Sequence, residues 1–184
     1  PLETVDRFLE EAKEMGARTV VFSGGEATLR TDIISIIEKA NKLGYHTVLL
    51  TNLSLLPNSR IDQLLAAGLN SISTSIDGPE EIHNKIRGLK GMYKKIVGSL
   101  SYIALLKNKG KTKLSVNVST VVTSENYLRA HEVLLLRNEL LIDSFRFYPI
   151  REYVGQKPNP ELQLNKNQKN IFIHKTIENI QKTA

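Results

Sequence analysis

The segment SISTSIDG, residues 71–78, combines a predicted strand with the turn that follows it. Successive side chains of a strand point to opposite faces of the sheet, so Ser73 and Ser75 share one face and Ile72 lies on the other. A parallel sheet that helices cover on both sides has strands that are apolar throughout. This strand has only one apolar face, and it therefore predicts a curved, partial barrel around a polar site.

A second predicted strand, residues 114–122, divides its side chains in the same way. Ser115, Asn117 and Ser119 alternate with leucine and valine residues. A closed (β/α)8 barrel fills its interior with branched apolar side chains. The two strands together favour an open barrel with a polar interior.

Short apolar segments alternate with helical periodicities along the whole chain, which is typical of an α/β fold with a parallel sheet and right-handed crossovers. Strands are predicted over residues 19–23, 47–51, 71–76, 114–122 and 144–149. Helices are predicted over residues 2–15, 33–43, 59–67, 80–86, 93–108, 126–138 and 166–182.

The series opens with a helix, and such a helix normally packs on a preceding strand, so we expect the first β unit to be missing from this chain. We expect residues 1–150 to form the partial barrel and residues 165–184 to form a C-terminal helix, with residues 151–164 as the segment that connects the two.

Composition limits the chemistry that these residues can perform. The 184 residues, 41% of them hydrophobic, suffice for one globular domain. The chain contains no cysteine, which excludes disulfides, thiolate metal sites and cysteine nucleophiles from it. No targeting segment or apolar run long enough to cross a bilayer is visible, so we expect a cytoplasmic protein without a membrane partner.

The net charge of +6 is unevenly distributed, because residues 82–124 contain nine lysines and arginines and no acid. This segment is either a solvated helix face or a surface for an anionic partner such as RNA or an acidic peptide. No ladder of aromatic residues interleaves the lysines, which leaves base stacking without support.

The carboxyl ends of parallel strands share one rim, where ligands bind. Glycines at 24 and 25 allow a ligand to approach the backbone, and Glu26 offers a carboxylate to an ammonium or a hydroxyl group. Arg87 is suited to a ligand carboxylate. The alternatives are an ordinary strand–helix turn with a solvated glutamate, and a surface arginine. The strand ends all carry small, polar or amide side chains, and this rim predicts a ligand site.

Five segments in this order resemble the core of the radical S-adenosylmethionine (radical SAM) superfamily, from about residue 2 to residue 150. They are VVFSGGEATLR (20–30), TVLLTN (47–52), ISTSIDGPEEIHNKIRG (72–88), VNVSTVVTSENY (116–127) and FRFYPI (145–150). The third segment is the most specific. It is similar to the branch of peptide- and protein-modifying enzymes that includes sulfatase maturases and quinone-cofactor maturases.

The resemblance implies a partial (β/α)6 parallel barrel, with S-adenosylmethionine and a [4Fe–4S] cluster as cofactors. It also implies roles for rim residues. Gly24, Gly25 and Glu26 would hold the amino group of S-adenosylmethionine, and Arg87 would bind its carboxylate. Asn52 and Ser75 would line the methionyl and ribose moieties, with Asp77 close by. Asn117 and Ser119 would lie near the ribose and adenine, and Phe147 and Tyr148 would pack on the adenine.

The chain departs from the family pattern at two points. Ala27 stands where a proline usually follows Gly-Gly-Glu. The Cys-x-x-x-Cys-x-x-Cys loop that holds the cluster in the family is absent, and it follows the first strand, the unit that the element order predicts to be missing. We therefore expect the cluster ligands to lie before Pro1 or to be lost, and we assign no metal ligand or catalytic residue to these residues.

Three functional interpretations remain open. The first is the core of a radical SAM enzyme that modifies a peptide or protein and receives an electron from a donor such as a flavodoxin or ferredoxin, with RNA as the second choice of substrate. The second is a relative without a cluster that binds an adenosyl ligand or a partner. The third is an unrelated α/β barrel enzyme that acts on a small polar metabolite.

Overall fold

The computed structural model describes residues 2–150 and 159–183. Its sheet has five strands, in the order β1-β2-β3-β4-β5, and every neighbouring pair is parallel. The strands are β1 (Thr19–Phe22), β2 (His46–Leu50), β3 (Ser71–Ser75), β4 (Ser115–Val122) and β5 (Ser144–Pro149). The predicted parallel sheet is confirmed, and each predicted strand agrees with the observed one to within about one residue at each end, as expected for such boundaries.

Six α-helices and three short 3-10 helices accompany the sheet in the described residues. The α-helices are α1 (Leu2–Glu14), α2 (Ile33–Lys42), α3 (Asn58–Ala66), α4 (Glu80–Arg87), α5 (Met92–Asn108) and α6 (Lys166–Thr183). The 3-10 helices are Ala27–Leu29, Ala130–Leu136 and Pro160–Leu162.

The strands follow one another in space in the same order as in the chain. Right-handed crossovers between such consecutive neighbours place all connecting helices on one face of the sheet. A doubly wound sheet would require a reversal of strand order, and this sheet has none. The second face therefore stays free for a cavity, which is the winding expected of a barrel.

The main core lies between the helices and the outer face of the sheet. Helix α5 contributes Ile96, Leu100 and Ile103, each 0% exposed, and they pack with residues such as Ile72 and Val116 of the strands. Burying one such side chain contributes about 1.5–3 kcal/mol. This packing fixes the strands whose opposite face forms the site.

The predicted α-helix over residues 126–138 is wrong. The chain forms turns up to Arg129 and then the 3-10 helix Ala130–Leu136. The side chain of Asn126 accepts a hydrogen bond from the Thr123 backbone N–H at 2.8 Å and donates to the Asp77 carbonyl at 2.9 Å. An asparagine that bonds the backbone in this way competes with a regular helix start, which explains the difference.

The C-terminal part of the chain is described only from residue 159 onward. Residues 151–158 of the predicted connecting segment lie outside the described residues, and α6 packs against the 3-10 helix Ala130–Leu136. The division into barrel, connection and helix stays a prediction. Within residues 2–150 and 159–183, no helix combines the length and apolar character required to cross a bilayer.

Gly68, which follows α3, provides a test of the packing between α2 and α3. Its φ is +86°, and an added Cβ would lie 2.5 Å from Cγ of Asn41, whose side chain donates to the Gly68 carbonyl at 3.0 Å. We expect Gly68→Ala to lower the free energy of unfolding by about 2 kcal/mol, through left-handed backbone strain and loss of this hydrogen bond.

Gly110 supplies the matched control, since its φ is +66° and a Cβ there would meet no atom within 4 Å. Gly110→Ala is expected to lower the free energy of unfolding by about 1 kcal/mol. Urea unfolding measures the loss in both variants. Equal losses in the two variants would contradict the contribution of Asn41.

Candidate functional site

A cavity of about 930 Å³ lies on the inner face of the sheet. Each strand contributes to its wall through side chains such as Val21, Val48, Ser73, Asn117 and Arg146. The turns after β1 and β2 close its rim at the carboxyl ends of the strands. The cavity thus occupies the place that the polar strand faces predict.

The strand register arranges the inner side chains in rows. Ser75, Ser119 and Arg146 are aligned across β3, β4 and β5, at the carboxyl end of β3 and in the middle of the other two strands. Ser73 and Asn117 form the preceding aligned pair on the same face, two residues earlier in β3 and in β4. Small hydroxyl side chains on β3 and β4 leave the volume of the cavity open to a ligand.

The structure brings most of the sequence-predicted residues to this cavity. The lining includes Gly24, Gly25, Glu26, Asn52, Ser75, Arg87, Asn117, Ser119 and Tyr148. Two predicted residues, Asp77 and Phe147, lie outside the lining.

Asp77 lies behind the wall because β3 ends at Ser75 and the chain turns away before residue 77. It is only 1% exposed. Its Oδ2 accepts a hydrogen bond from Nε of Arg87 at 2.6 Å, and its Oδ1 accepts from the Val121 backbone N–H at 3.4 Å. Arg87 lines the cavity with a side chain that is 34% exposed. Asp77 therefore holds Arg87 at the cavity instead of facing a ligand itself.

His83 completes this buried cluster. Its Nδ1 accepts a hydrogen bond from the Asp77 backbone N–H at 3.2 Å, so a neutral ring carries its proton on Nε2. Nε2 has no hydrogen-bond partner within residues 2–150 and 159–183. Burial alone would raise the pKa of Asp77, but the adjacent Arg87 guanidinium outweighs it and holds that pKa below its ordinary value. Asp77 is thus ionised at neutral pH.

Phe147 lies on the outer face of β5, because strand alternation places it opposite Arg146 and Tyr148. Its ring packs against the core and meets Phe172 of α6 edge-on, with 5.3 Å between the ring centroids. Tyr148 is consequently the aromatic residue of this pair that reaches the cavity.

Glu26 joins the turn after β1 to the end of β2. One carboxylate oxygen accepts from the backbone N–H of Thr28 at 3.1 Å and from its hydroxyl at 2.6 Å, and the other accepts from the Asn52 backbone N–H at 2.9 Å. Partial burial alone would raise the pKa of Glu26, but these hydrogen bonds outweigh it and lower the pKa. An ionised carboxylate has about four acceptor positions, so about one remains for a ligand.

The two glycines before Glu26 keep space open beside it. Gly24 has a φ of +147°, which a residue with a side chain rarely adopts. A Cβ at Gly24 or Gly25 would meet no atom within 4 Å, and both residues line the cavity. The backbone there is accessible to a ligand at close range.

The turn after β2 presents Asn52 to Glu26. Leu53 has a φ of 60° although it carries a side chain, and that side chain is fully buried in the core. Left-handed backbone at such a residue costs about 1–2 kcal/mol, which the burial of Leu53 offsets. The strained turn thereby directs the backbone N–H of Asn52 to the carboxylate.

Asn117 is engaged within the sheet. Its Nδ2 donates to the Ser71 hydroxyl at 2.8 Å, and its Oδ1 accepts from the Ser144 hydroxyl. These bonds tie β3, β4 and β5 together below the row of Ser119. Asn117 therefore forms the floor of the cavity, and Ser119 lies above it.

The cavity is also lined by Arg146, His46 and Met92, which were not predicted from the sequence. The alternation of Phe145, Arg146 and Phe147 was an available signal, because a charged residue between two apolar ones in a strand faces away from the core. His46 begins β2 and Met92 begins α5, and nothing in their local sequence indicates a cavity. Within the described residues, no group of three or more His, Cys, Asp or Glu residues is arranged to hold a metal ion.

Residues 1–136 match the family model of the Radical SAM superfamily. The chain belongs to the radical SAM superfamily. Two curated members are similar to it: the AdoMet-dependent heme synthase of Methanosarcina barkeri (strain Fusaro), 31% identical over 134 residues, and the PqqA peptide cyclase of Gluconobacter oxydans, 33% identical over 133 residues. Each alignment covers 72% of this chain but only 37% and 36% of the relative. The chain thus spans little more than a third of these radical SAM relatives.

Solved structures share this fold. Streptococcus suis SuiB matches with a TM-score of 0.80 and 20% identity, over 100% of this chain and 41% of SuiB. The structure of SuiB bound to S-adenosylmethionine matches with a TM-score of 0.76 at 19% identity, and that of SuiB bound to the precursor peptide SuiA with 0.80 at 20%. The predicted α/β fold of the radical SAM type is confirmed. The sheet has five strands in the described residues, one fewer than the six that the resemblance implies.

Proposed function

We propose that this chain is the S-adenosylmethionine-binding core of a radical SAM enzyme that modifies a peptide or protein. The observation that carries the proposal is the pair of opposite charges at the rim of the cavity. Glu26 keeps an acceptor position for an ammonium group, and Arg87 is held at the cavity by Asp77. An amino acid ligand carries the complementary charges, and S-adenosylmethionine has both.

The other lining residues fit the rest of that cofactor. Ser75 and Ser119 offer hydroxyl groups to the ribose, and the exposed ring of Tyr148 offers a surface for the adenine. The glycines at 24 and 25 leave room for the methionyl chain. The chain's own residues thereby bind the cofactor and fix its orientation in the barrel.

The residues do not fit the [4Fe–4S] cluster of the family. The 184 residues contain no cysteine, and thiolates are the usual ligands of such clusters. We therefore assign cluster binding to polypeptide outside these residues.

A peptide or protein substrate is supported by two of the similar proteins, a peptide cyclase and a protein solved with a precursor peptide. RNA has less support, because Lys85, Lys94 and Lys107 of the basic segment pair with Glu125, Glu80 and Asp143. Reductive cleavage of S-adenosylmethionine needs an electron, so the proposal includes a donor such as a flavodoxin or ferredoxin. A reducing compartment, the cytoplasm, suits this chemistry.

The alternative is a relative that binds an adenosyl ligand without redox chemistry, and it is consistent with the missing cysteines. The two functions differ in the fate of S-adenosylmethionine. The enzyme converts it to 5′-deoxyadenosine and methionine under reducing, anaerobic conditions, and the binding protein leaves it intact.

We expect the purified protein to bind S-adenosylhomocysteine at least about tenfold more tightly than 5′-methylthioadenosine, which lacks the ammonium and carboxylate groups. Calorimetric titration measures both affinities, and chromatography after anaerobic reduction detects 5′-deoxyadenosine. Equal affinities would contradict the roles of Glu26 and Arg87. Because these residues cannot hold the cluster, the cleavage assay uses the native full-length protein reconstituted with iron and sulfide, and tight binding without 5′-deoxyadenosine there would support the alternative.

A further inference from the structure

Arg146 lies at the middle of β5, on the side of the strand that faces the cavity. Its neighbours Phe145 and Phe147 pack against the hydrophobic core on the other side. The register places Arg146 beside Ser119 of β4, in the row that continues to Ser75 of β3. The fold therefore directs a guanidinium group to the cavity at the level of the predicted ribose-binding serines.

The ionisable side chains that line the cavity in the described residues are Glu26, His46, Arg87, Arg146 and Tyr148. Glu26 is held by three hydrogen bonds, and Arg87 is paired with Asp77. Arg146 forms no ion pair with the carboxylates of residues 2–150 and 159–183. In this part of the chain it is the lining arginine whose charge the protein does not neutralise.

The bound cofactor would not neutralise Arg146 either, and this step rests on the proposed function. S-adenosylmethionine carries an ammonium, a carboxylate and a sulfonium group. Glu26 matches the ammonium group, and the ligand carboxylate joins Asp77 on Arg87, so one net positive charge remains in the loaded site. Arg146 is then the cation that no carboxylate of the described residues or of the cofactor pairs with. Arg146 is exposed to the cavity, so its guanidinium is accessible to a group of opposite sign on a substrate. The loaded cavity therefore favours an anionic substrate group.

We propose that Arg146 binds a carboxylate of the substrate, and that this enzyme takes a peptide with an acidic side chain close to the residue that is modified. A guanidinium group binds a carboxylate through two parallel hydrogen bonds, which fixes position as well as charge. Arg146 thereby acts as a specificity residue within the site.

Selection from a displayed library of random peptides tests this assignment. The purified protein, saturated with S-adenosylhomocysteine, is expected to enrich peptides that contain Asp or Glu. The enrichment is expected to disappear with Arg146→Gln and to change to Lys and Arg with Arg146→Glu. Arg137→Gln is the matched control, because Arg137 lies over the ring of Phe145, which packs on the outer side of the same strand. It removes one positive charge and should keep the acidic preference.

A second measurement uses one enriched peptide and its amide variant, in which the acid becomes Gln or Asn. The wild-type protein is expected to bind the acidic peptide about tenfold more tightly than the amide variant. Arg146→Gln is expected to bind both equally, which isolates the pairwise interaction. The affinity for S-adenosylhomocysteine, measured in parallel, is expected to change less than about threefold.

The outcomes separate this inference from the proposed function. Acidic enrichment that survives Arg146→Gln, or its absence in the wild type with S-adenosylhomocysteine bound, overturns the role of Arg146 and leaves the proposed function intact. Acidic enrichment that depends on Arg146 supports the role. If the protein shows acidic enrichment that depends on Arg146 but does not bind S-adenosylhomocysteine, the role of Arg146 stands and only the proposed function is contradicted.

Discussion

Replacement of Asp77 by asparagine is expected to lower the free energy of unfolding by about 3 kcal/mol, because it leaves the guanidinium of Arg87 without its buried partner. Asp77 is 1% exposed and bonds Arg87 at 2.6 Å. The cost lies at the low end of the range for such pairs, since the Arg87 side chain is 34% exposed and water can reach it. Urea unfolding at neutral pH measures the loss.

Asp32→Asn is the control for this variant. Asp32 pairs with Arg30 at 2.5 Å, but both side chains are on the surface, at 31% and 43% exposure. Exposed pairs contribute at most about 1 kcal/mol, so Asp32→Asn should have a small effect. Losses of the same size in the two variants would contradict the structural role of Asp77.

The same pair predicts a dependence on pH. The pKa of Asp77 is lower in the folded protein than in the unfolded chain, because the charge of Arg87 outweighs the effect of burial. The stabilisation is therefore complete above the unfolded pKa of about 4 and is lost as the pH falls through the folded pKa. The difference in stability between the wild type and Asp77→Asn should shrink below about pH 4. A constant difference down to acid pH would contradict the assignment.

Replacement of Glu26 by glutamine is expected to weaken S-adenosylhomocysteine binding about 30-fold. The carboxylate keeps about one acceptor position beyond its bonds to Thr28 and Asn52, and a neutral amide cannot pair with the ligand's ammonium group. The affinity for 5′-methylthioadenosine, which has no ammonium group, should stay the same. Calorimetric titration of both ligands separates a lost contact from a disrupted cavity.

Thr28→Val controls for the second role of Glu26. The Thr28 hydroxyl donates to Glu26 at 2.6 Å, and valine removes this bond without touching the acceptor that faces the ligand. Glu26→Gln should weaken S-adenosylhomocysteine binding at least about tenfold more than Thr28→Val does. Equal losses would show that Glu26 acts by holding the turn, and would count against the proposed cofactor contact.

Two sites in the chain show where local sequence stops being informative. The predicted α-helix over residues 126–138 does not form, because the Asn126 side chain bonds the Thr123 backbone N–H and donates to the carbonyl of Asp77, a residue 49 positions earlier in the chain. Leu53 adopts a positive φ because its side chain is buried in the core while the backbone N–H of the preceding residue, Asn52, donates to Glu26. Both features depend on partners that no local pattern identifies.

The sequence by itself determined the order of the elements, the parallel sheet and the polar inner face, because strand alternation, helical periodicity and glycine stops are properties of neighbouring residues. It also placed Gly24, Gly25 and Glu26 at the rim, since the carboxyl ends of parallel strands meet there. Only the tertiary structure decided which rim residues reach the cavity. Asp77 lies behind Arg87, and Phe147 lies on the far side of β5 from Arg146, because the length of β3 and the register of β5 are set by packing and hydrogen bonds between strands.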